Sequence, residues 1–107
     1  MILFCLILAA FVRCSKSDER ENRVTYIVDS NTPDTPIRVV GADPRSTYIV
    51  VKGHYENTIT TDAEVVSVVA RCDDPETLIT LEIYVNGKRK DHVSGNRWVT
   101  TKEIRLK

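Results

Sequence analysis

The sequence predicts an all-β protein: a single immunoglobulin-like antiparallel β-sandwich of seven or eight strands after an N-terminal signal segment. Short β-branched and aromatic runs recur between turn signals spaced roughly every eight to twelve residues. Apolar side chains alternate with a period of two inside those runs, and no segment shows helical periodicity. The domain is expected over residues 23–107, behind a signal peptide at 1–13 and a flexible tether at 14–22, which leaves room for one core and not two.

The first strand is Val24-Thr25-Tyr26-Ile27-Val28, ended by Asp29, Ser30, Asn31 and Pro33. Pro33, Asp34 and Pro36 then form a turn region that a helix crosses only at high cost. Ile37–Val40 is a short strand closed by Gly41-Ala42-Asp43-Pro44, and Thr47–Lys52 another, with Gly53 and His54 as a bend before Tyr55–Thr61. From Glu64 to Cys72, alternation places Val66, Val68, Ala70 and Cys72 on one apolar face and Ser67 and Arg71 on the other. Asp73-Asp74-Pro75-Glu76 supplies a loop. Leu78–Val85 directs Ile79, Leu81, Ile83 and Val85 inward, with Thr80 and Glu82 outward. Asn86-Gly87 is the strongest hairpin signal in the chain, since both residues tolerate the positive φ of a type I′ turn. Lys88–Val93 returns, Gly95-Asn96 offers a second tight turn, and Arg97–Leu106 is the last strand, so that residues 64–107 read as an antiparallel meander. Trp98 shares parity with Ile104 and Leu106, which assigns it to the core.

Ile2–Val12 is an unbroken run of eleven apolar residues, stopping at Arg13-Cys14 before the polar stretch that starts at Ser15. As a helix it reaches about 16 Å, half of a bilayer's hydrocarbon core, which favours an export signal over a stable span. Cleavage near Ala9-Ala10 would release a secreted or periplasmic protein. Cleavage before Cys14 would put a lipid on its sulfur, and the position of the cysteine favours this route. The remaining reading makes residues 1–14 a first strand or core helix of a cytosolic domain. Phe11-Val12-Arg13-Cys14-Ser15-Lys16-Ser17-Asp18-Glu19 resembles the signal end of lipoproteins from Bacteroidetes-type bacteria, with Arg13 where that family carries Ser, Gly or Ala. This resemblance implies a protein lipid-anchored at Cys14 in the cell envelope, on the outer membrane.

Val24-Thr25-Tyr26, Leu81–Lys88 and Ser94-Gly95-Asn96 together resemble the MmpS-type small β-sandwich domains and their lipoprotein relatives. Asn86 stands where their hairpin has Asp. The resemblance implies the sandwich fold. The mycobacterial members accompany lipid exporters through a transmembrane helix, which the residues after the signal do not offer, so that role is not carried over.

Charge and composition exclude several functions. The chain has 15 Lys+Arg and 15 Asp+Glu; losing Arg13 with the signal leaves fourteen against fifteen, a formal charge of −1. Nucleic-acid binding needs clustered cations to displace counterions from phosphates, so no nucleic-acid partner is expected. The two histidines, His54 and His92, stand in no recognised nucleophile–acid arrangement, GxSxG and HExxH are absent, and four glycines leave little for a phosphate cradle. No enzyme activity and no cofactor are expected. Cys72 is left alone once Cys14 is acylated and reads as a small buried hydrophobe; under the other cleavage it has Cys14 as a possible disulfide partner. A lone Cys with distant histidines does not suggest zinc, and no metal is expected. Asp73, Asp74 and Glu76, joined by Asp62 or Asp91, would offer calcium some oxygens, but Asp and Pro are ordinary turn builders.

Lys88, Arg89 and Lys90, with His92, form the basic cluster of the chain, which either guards an exposed strand edge or meets an acidic group. Tyr84, opposite in parity to Ile83 and Val85, points to the surface. Tyr84, Lys88, Arg89 and Lys90 are therefore the expected contacts with an envelope protein or glycan. The alternative is a purely structural envelope protein without a dedicated ligand.

Overall fold

The computed structural model describes residues 21–107; the expected signal segment, Cys14 and the expected tether as far as Arg20 lie outside the described residues. The described chain is all-β and contains no helix. Its strands are β1 (Asn22–Ser30), β2 (Ile37–Val40), β3 (Ile49–Val51), β4 (His54–Thr61), β5 (Val65–Val66), β6 (Val69–Arg71), β7 (Leu78–Val85), β8 (Lys88–Asn96), β9 (Trp98–Thr100) and β10 (Ile104–Arg105). Two four-stranded sheets, ordered β4-β1-β7-β8 and β3-β2-β6-β9, are joined by a two-stranded ladder of β10 and β5. All strand pairs are antiparallel.

One core lies between the sheets, and alternation builds it. Val24, Tyr26 and Val28 from β1, and Ile79, Leu81, Ile83 and Val85 from β7, point in from one sheet. Ile37, Val39, Ala70 and Val99 point in from the other, and Val66, Val68 and Ile104 close the side. Each fully buried Leu or Ile contributes about 1.5–3 kcal/mol relative to exposure, so the two layers stand or fall together. The tether boundary moves by one residue: Asn22 already belongs to β1, where its side chain donates to the Leu106 carbonyl (3.4 Å) and accepts from Asn86 (2.9 Å).

Ten strands replace the expected seven or eight because two long runs each break in the middle. Glu64–Cys72 keeps its inward parity, yet the ladder is interrupted at Ser67-Val68; Arg97–Leu106 is interrupted at residues 101–103. The breaks face each other. The Val68 N–H donates to Thr101 Oγ1 at 2.9 Å, and the Thr101 N–H donates to the Val68 carbonyl, so one buried side chain replaces a backbone acceptor where the strand pair changes sheets. The interruption also inserts an odd step between Val99 and Thr101, which face inward, and Ile104. Trp98 is consequently turned outward and is 61% exposed, which corrects its assignment to the core.

The expected meander over 64–107 is also corrected. Only β7 and β8 form a hairpin within one sheet; β9 leaves β8 and pairs with β6 in the other. Gly95 and Asn96 belong to β8, and the chain turns at Arg97, whose φ is 67°. A Cβ on Gly95 would come within 3.3 Å of Val99 Cγ2, so the missing side chain lets the strand cross there. The Asn86-Gly87 turn forms as read, with φ of 52° and 87°, and is docked on β1 by a 2.9 Å bond from the Arg23 N–H to Asn86 Oδ1.

Candidate functional site

The expected contacts sit at one edge of the β4-β1-β7-β8 sheet. Tyr84 is half-buried on β7 directly opposite Arg89 on β8, and Lys88, Arg89 and Lys90 are exposed. A register shift after Ile83 leaves Lys90 as the extra residue of a bulge, a common way of blunting a strand edge. Part of the cluster is answered from within the sheet, while Lys88 and Lys90 join no ion pair among the described residues. Arg89 lies 3.2 Å and His92 2.8 Å from the same Glu82 carboxylate oxygen. The hydrogen bond from His92, followed by that from Arg89, lowers the Glu82 carboxyl below its ordinary pKa, against a desolvation that raises it. Further along the same face, His54 Nδ1 donates to Asp29, with Glu56 near the other ring nitrogen at 3.7 Å. The Asp29 hydrogen bond and charge raise the His54 pKa. Between these pairs stand hydroxyls bonded to one another, Thr25 to Thr58 at 2.9 Å and Thr80 to Ser94 at 3.0 Å.

The opposite outer face, on the β3-β2-β6-β9 sheet, is different in kind. One register row crosses all four strands: Val50 pairs with Arg38, Arg38 with Arg71, and Arg71 with Trp98, every one of them exposed. The Arg71 Cζ lies over the Trp98 ring, 5.2 Å from its centroid, and Arg38 lies over Tyr48 at 4.9 Å. Val40 adds exposed apolar surface beside them. None of the ion pairs among the described residues includes Arg38 or Arg71. Two like charges directly opposite in an antiparallel pair destabilise it, and two cation–π contacts of about 0.5–1 kcal/mol each offset that cost. Each stack holds its guanidinium against a ring, while the in-plane N–H donors stay available at its periphery. A shallow groove of about 500 Å³ borders this row, walled by Pro36, Arg38, Val50, Arg71, Cys72 and Asp73.

Sequence reading did not assemble this face. Its parity was legible, because Arg38 alternates with Ile37 and Val39, and Arg71 with Ala70. The usable signal was arginine at the outward position of two strands with exposed aromatics on their neighbours, but the register that aligns them is a long-range property.

Other singled-out residues are absorbed by local structure. Cys72 is half-buried, packed against the core as its parity predicts and also bordering the groove, where its thiol donates to the Asp74 carbonyl at 3.5 Å. Asp74 builds its loop: one carboxylate oxygen accepts the Glu76 N–H at 2.9 Å, the other the Thr77 hydroxyl at 3.0 Å. Asp91 accepts the backbone N–H groups of His92 and Lys102. Among the described residues no group of three or more His, Cys, Asp or Glu is placed to hold a metal ion. No protein-family model matches this sequence, and no curated protein matches it.

Proposed function

We propose that this chain is a non-catalytic binding subunit of the bacterial cell envelope, an immunoglobulin-like β-sandwich lipid-anchored through Cys14 that engages a partner protein. The carrying observation is the row Val50–Arg38–Arg71–Trp98 with its two arginine–aromatic stacks. Arginine, tryptophan and tyrosine are the residues in which binding energy concentrates at protein interfaces, and here they share one face with exposed valines. The sandwich reading is supported by two antiparallel sheets that enclose one core and exchange strands at β1–β2, β3–β4, β6–β7 and β8–β9. Export and anchoring are supported by the apolar run ending just before Cys14. Tyr84 and Lys88–Lys90 become a secondary contact in this reading, since Glu82 already answers part of their charge.

The test places a photo-crosslinking residue at Val50, or at Thr58 on the opposite face, in the full-length protein within its own envelope. Val50 is expected to yield a discrete adduct with another protein and Thr58 none. No adduct at Val50, or the same adducts from both positions, would refute the binding face. The anchor is tested separately: the Cys14→Ser variant is expected to leave the membrane fraction on washing, and full retention would refute it.

A further inference from the structure

We infer that the partner presents an acidic, aliphatic-containing polypeptide segment to the Arg38–Arg71 pair, with two neighbouring carboxylates, one for each guanidinium. This rests on the reading of that face as the partner-binding surface, and it adds the chemistry of what lies on it.

Three observations converge. Arg38 and Arg71 are direct cross-strand partners, so their backbones stand one strand spacing apart, about 5 Å, while each guanidinium leans toward its own ring, Tyr48 or Trp98. Neither joins an ion pair among the described residues, a state shared with Arg23, Arg97 and Arg105; what sets this pair apart is that the two stand on directly paired strands. An uncompensated cationic pair on a rigid sheet is complementary to two carboxylates with similar spacing, as side chains at i and i+2 of an extended strand provide. The planar guanidinium fork binds such groups through two parallel N–H···O bonds.

The remaining composition decides between classes of polyanion. A sugar ring binds an aromatic residue by lying on its open face, but Trp98 and Tyr48 each carry an arginine over the ring. Val40 and Val50, 43% and 55% exposed, are apolar surface that aliphatic side chains cover and a hydrophilic polyuronate does not. An extended polypeptide alternating acidic and aliphatic side chains satisfies both requirements. Asp73 and Asp74, which also line the groove, disfavour an unbroken run of negative charge.

Full-length protein in detergent is titrated with a labelled octapeptide alternating Glu with Val, with a Gln-for-Glu version, and with polygalacturonate. The Glu peptide is expected to bind, more weakly at high salt. Arg38→Gln and Arg71→Gln should each weaken it by roughly tenfold, the loss of one charge-assisted fork. Arg71→Lys should lose most of the same affinity, because a point charge does not replace the fork. Equal binding of the Gln peptide, or affinity unchanged in both arginine variants, would overturn the inference. So would polygalacturonate binding through Arg71 without peptide binding, which would make the ligand a glycan. If Val50 crosslinks a partner while the Glu peptide shows no preference, the acidic chemistry fails and the binding face stands. Loss of the Val50 crosslink removes both.

Discussion

The outer face of the β4-β1-β7-β8 sheet pairs several of its charges within itself: Glu82 takes Arg89 and His92, Asp29 takes His54, and hydroxyls bond to one another at Thr25–Thr58 and Thr80–Ser94. The outer face of the β3-β2-β6-β9 sheet sets two arginines on directly paired strands and leaves an indole and valines in solvent. Both faces hang on one core and follow from the same alternation, so the difference cannot come from stability demands on the strands. On the proposed function, it lies in what each face is left to meet. The molecule also supplies a reporter for each: its single tryptophan stands on the arginine face and its two histidines on the other.

The comparison breaks most decisively if the two sheets are separate units. Leu81 is fully buried between them. Leu81→Ala should cost about 3 kcal/mol in lost transfer and cavity energy, lowering Tm by some 15 °C in a domain of this size. Trp98 fluorescence and the His54 and His92 imidazole resonances should shift along one common transition. Separate midpoints would show that each face rests on its own core.

A narrower cut falls at the corner where β5/β6 and β9/β10 change sheets. Thr101→Val keeps the shape but leaves the buried Val68 N–H without its 2.9 Å acceptor, a loss of about 1–3 kcal/mol. Hydrogen exchange should accelerate at Val68 and in β9 while β1 and β7 stay protected. Equal loss of protection at Val68 and in β9, β1 and β7 would mean that the corner supports both sheets alike.

How much of this was legible depends on whether the information is local. Val24, Tyr26 and Val28, or Ile79 through Val85, declare their inward face by their own alternation, and all are buried. Asn86-Gly87 declares its turn through two positive φ values. Trp98 was misplaced because parity was carried across residues 101–103, where a hydrogen bond to Val68, distant in sequence, resets it. The candidate face shows the same limit more strongly. Alternation turns Arg38 and Arg71 outward, but their adjacency arises from β2 pairing with β6, across more than thirty residues of intervening chain. Lys88, Arg89 and Lys90 drew attention because they are consecutive; the sequence does not display that Glu82 and His92 meet Arg89 across the hairpin.

Acidity separates the faces further. His54 is raised by Asp29, so its contribution is full below the ordinary imidazole value of 6.5 and lost as pH rises through its elevated folded value. Glu82 is lowered by His92, so its contribution is present above the ordinary 4.5 and lost as pH falls through its depressed folded value. The paired face should therefore support the fold best between those two limits. Solvent screening at these exposed groups keeps each effect below about 1 kcal/mol. His54→Gln should flatten the alkaline limb of a Tm-versus-pH curve and leave the acid limb. An unchanged alkaline limb would mean that the Asp29 pair contributes nothing to stability.

The smallest expected effect is the most discriminating. Arg71→Ala deletes a cation–π contact with Trp98 and at the same time the repulsion from Arg38, two exposed terms of opposite sign. The net change should stay within about 0.5 kcal/mol by urea denaturation, as for an ordinary surface substitution. A structural arginine would behave otherwise, since removing it would cost the fold a good part of its stability. If Arg71→Ala destabilises by more than 2 kcal/mol, the guanidinium is a brace for β6 and β9, and the distinction between a self-contained face and a receptive one disappears. If stability holds while the Val50 crosslink weakens, the residue is kept for a contact outside the chain, because nothing inside the fold then requires two positive charges to stand opposite each other.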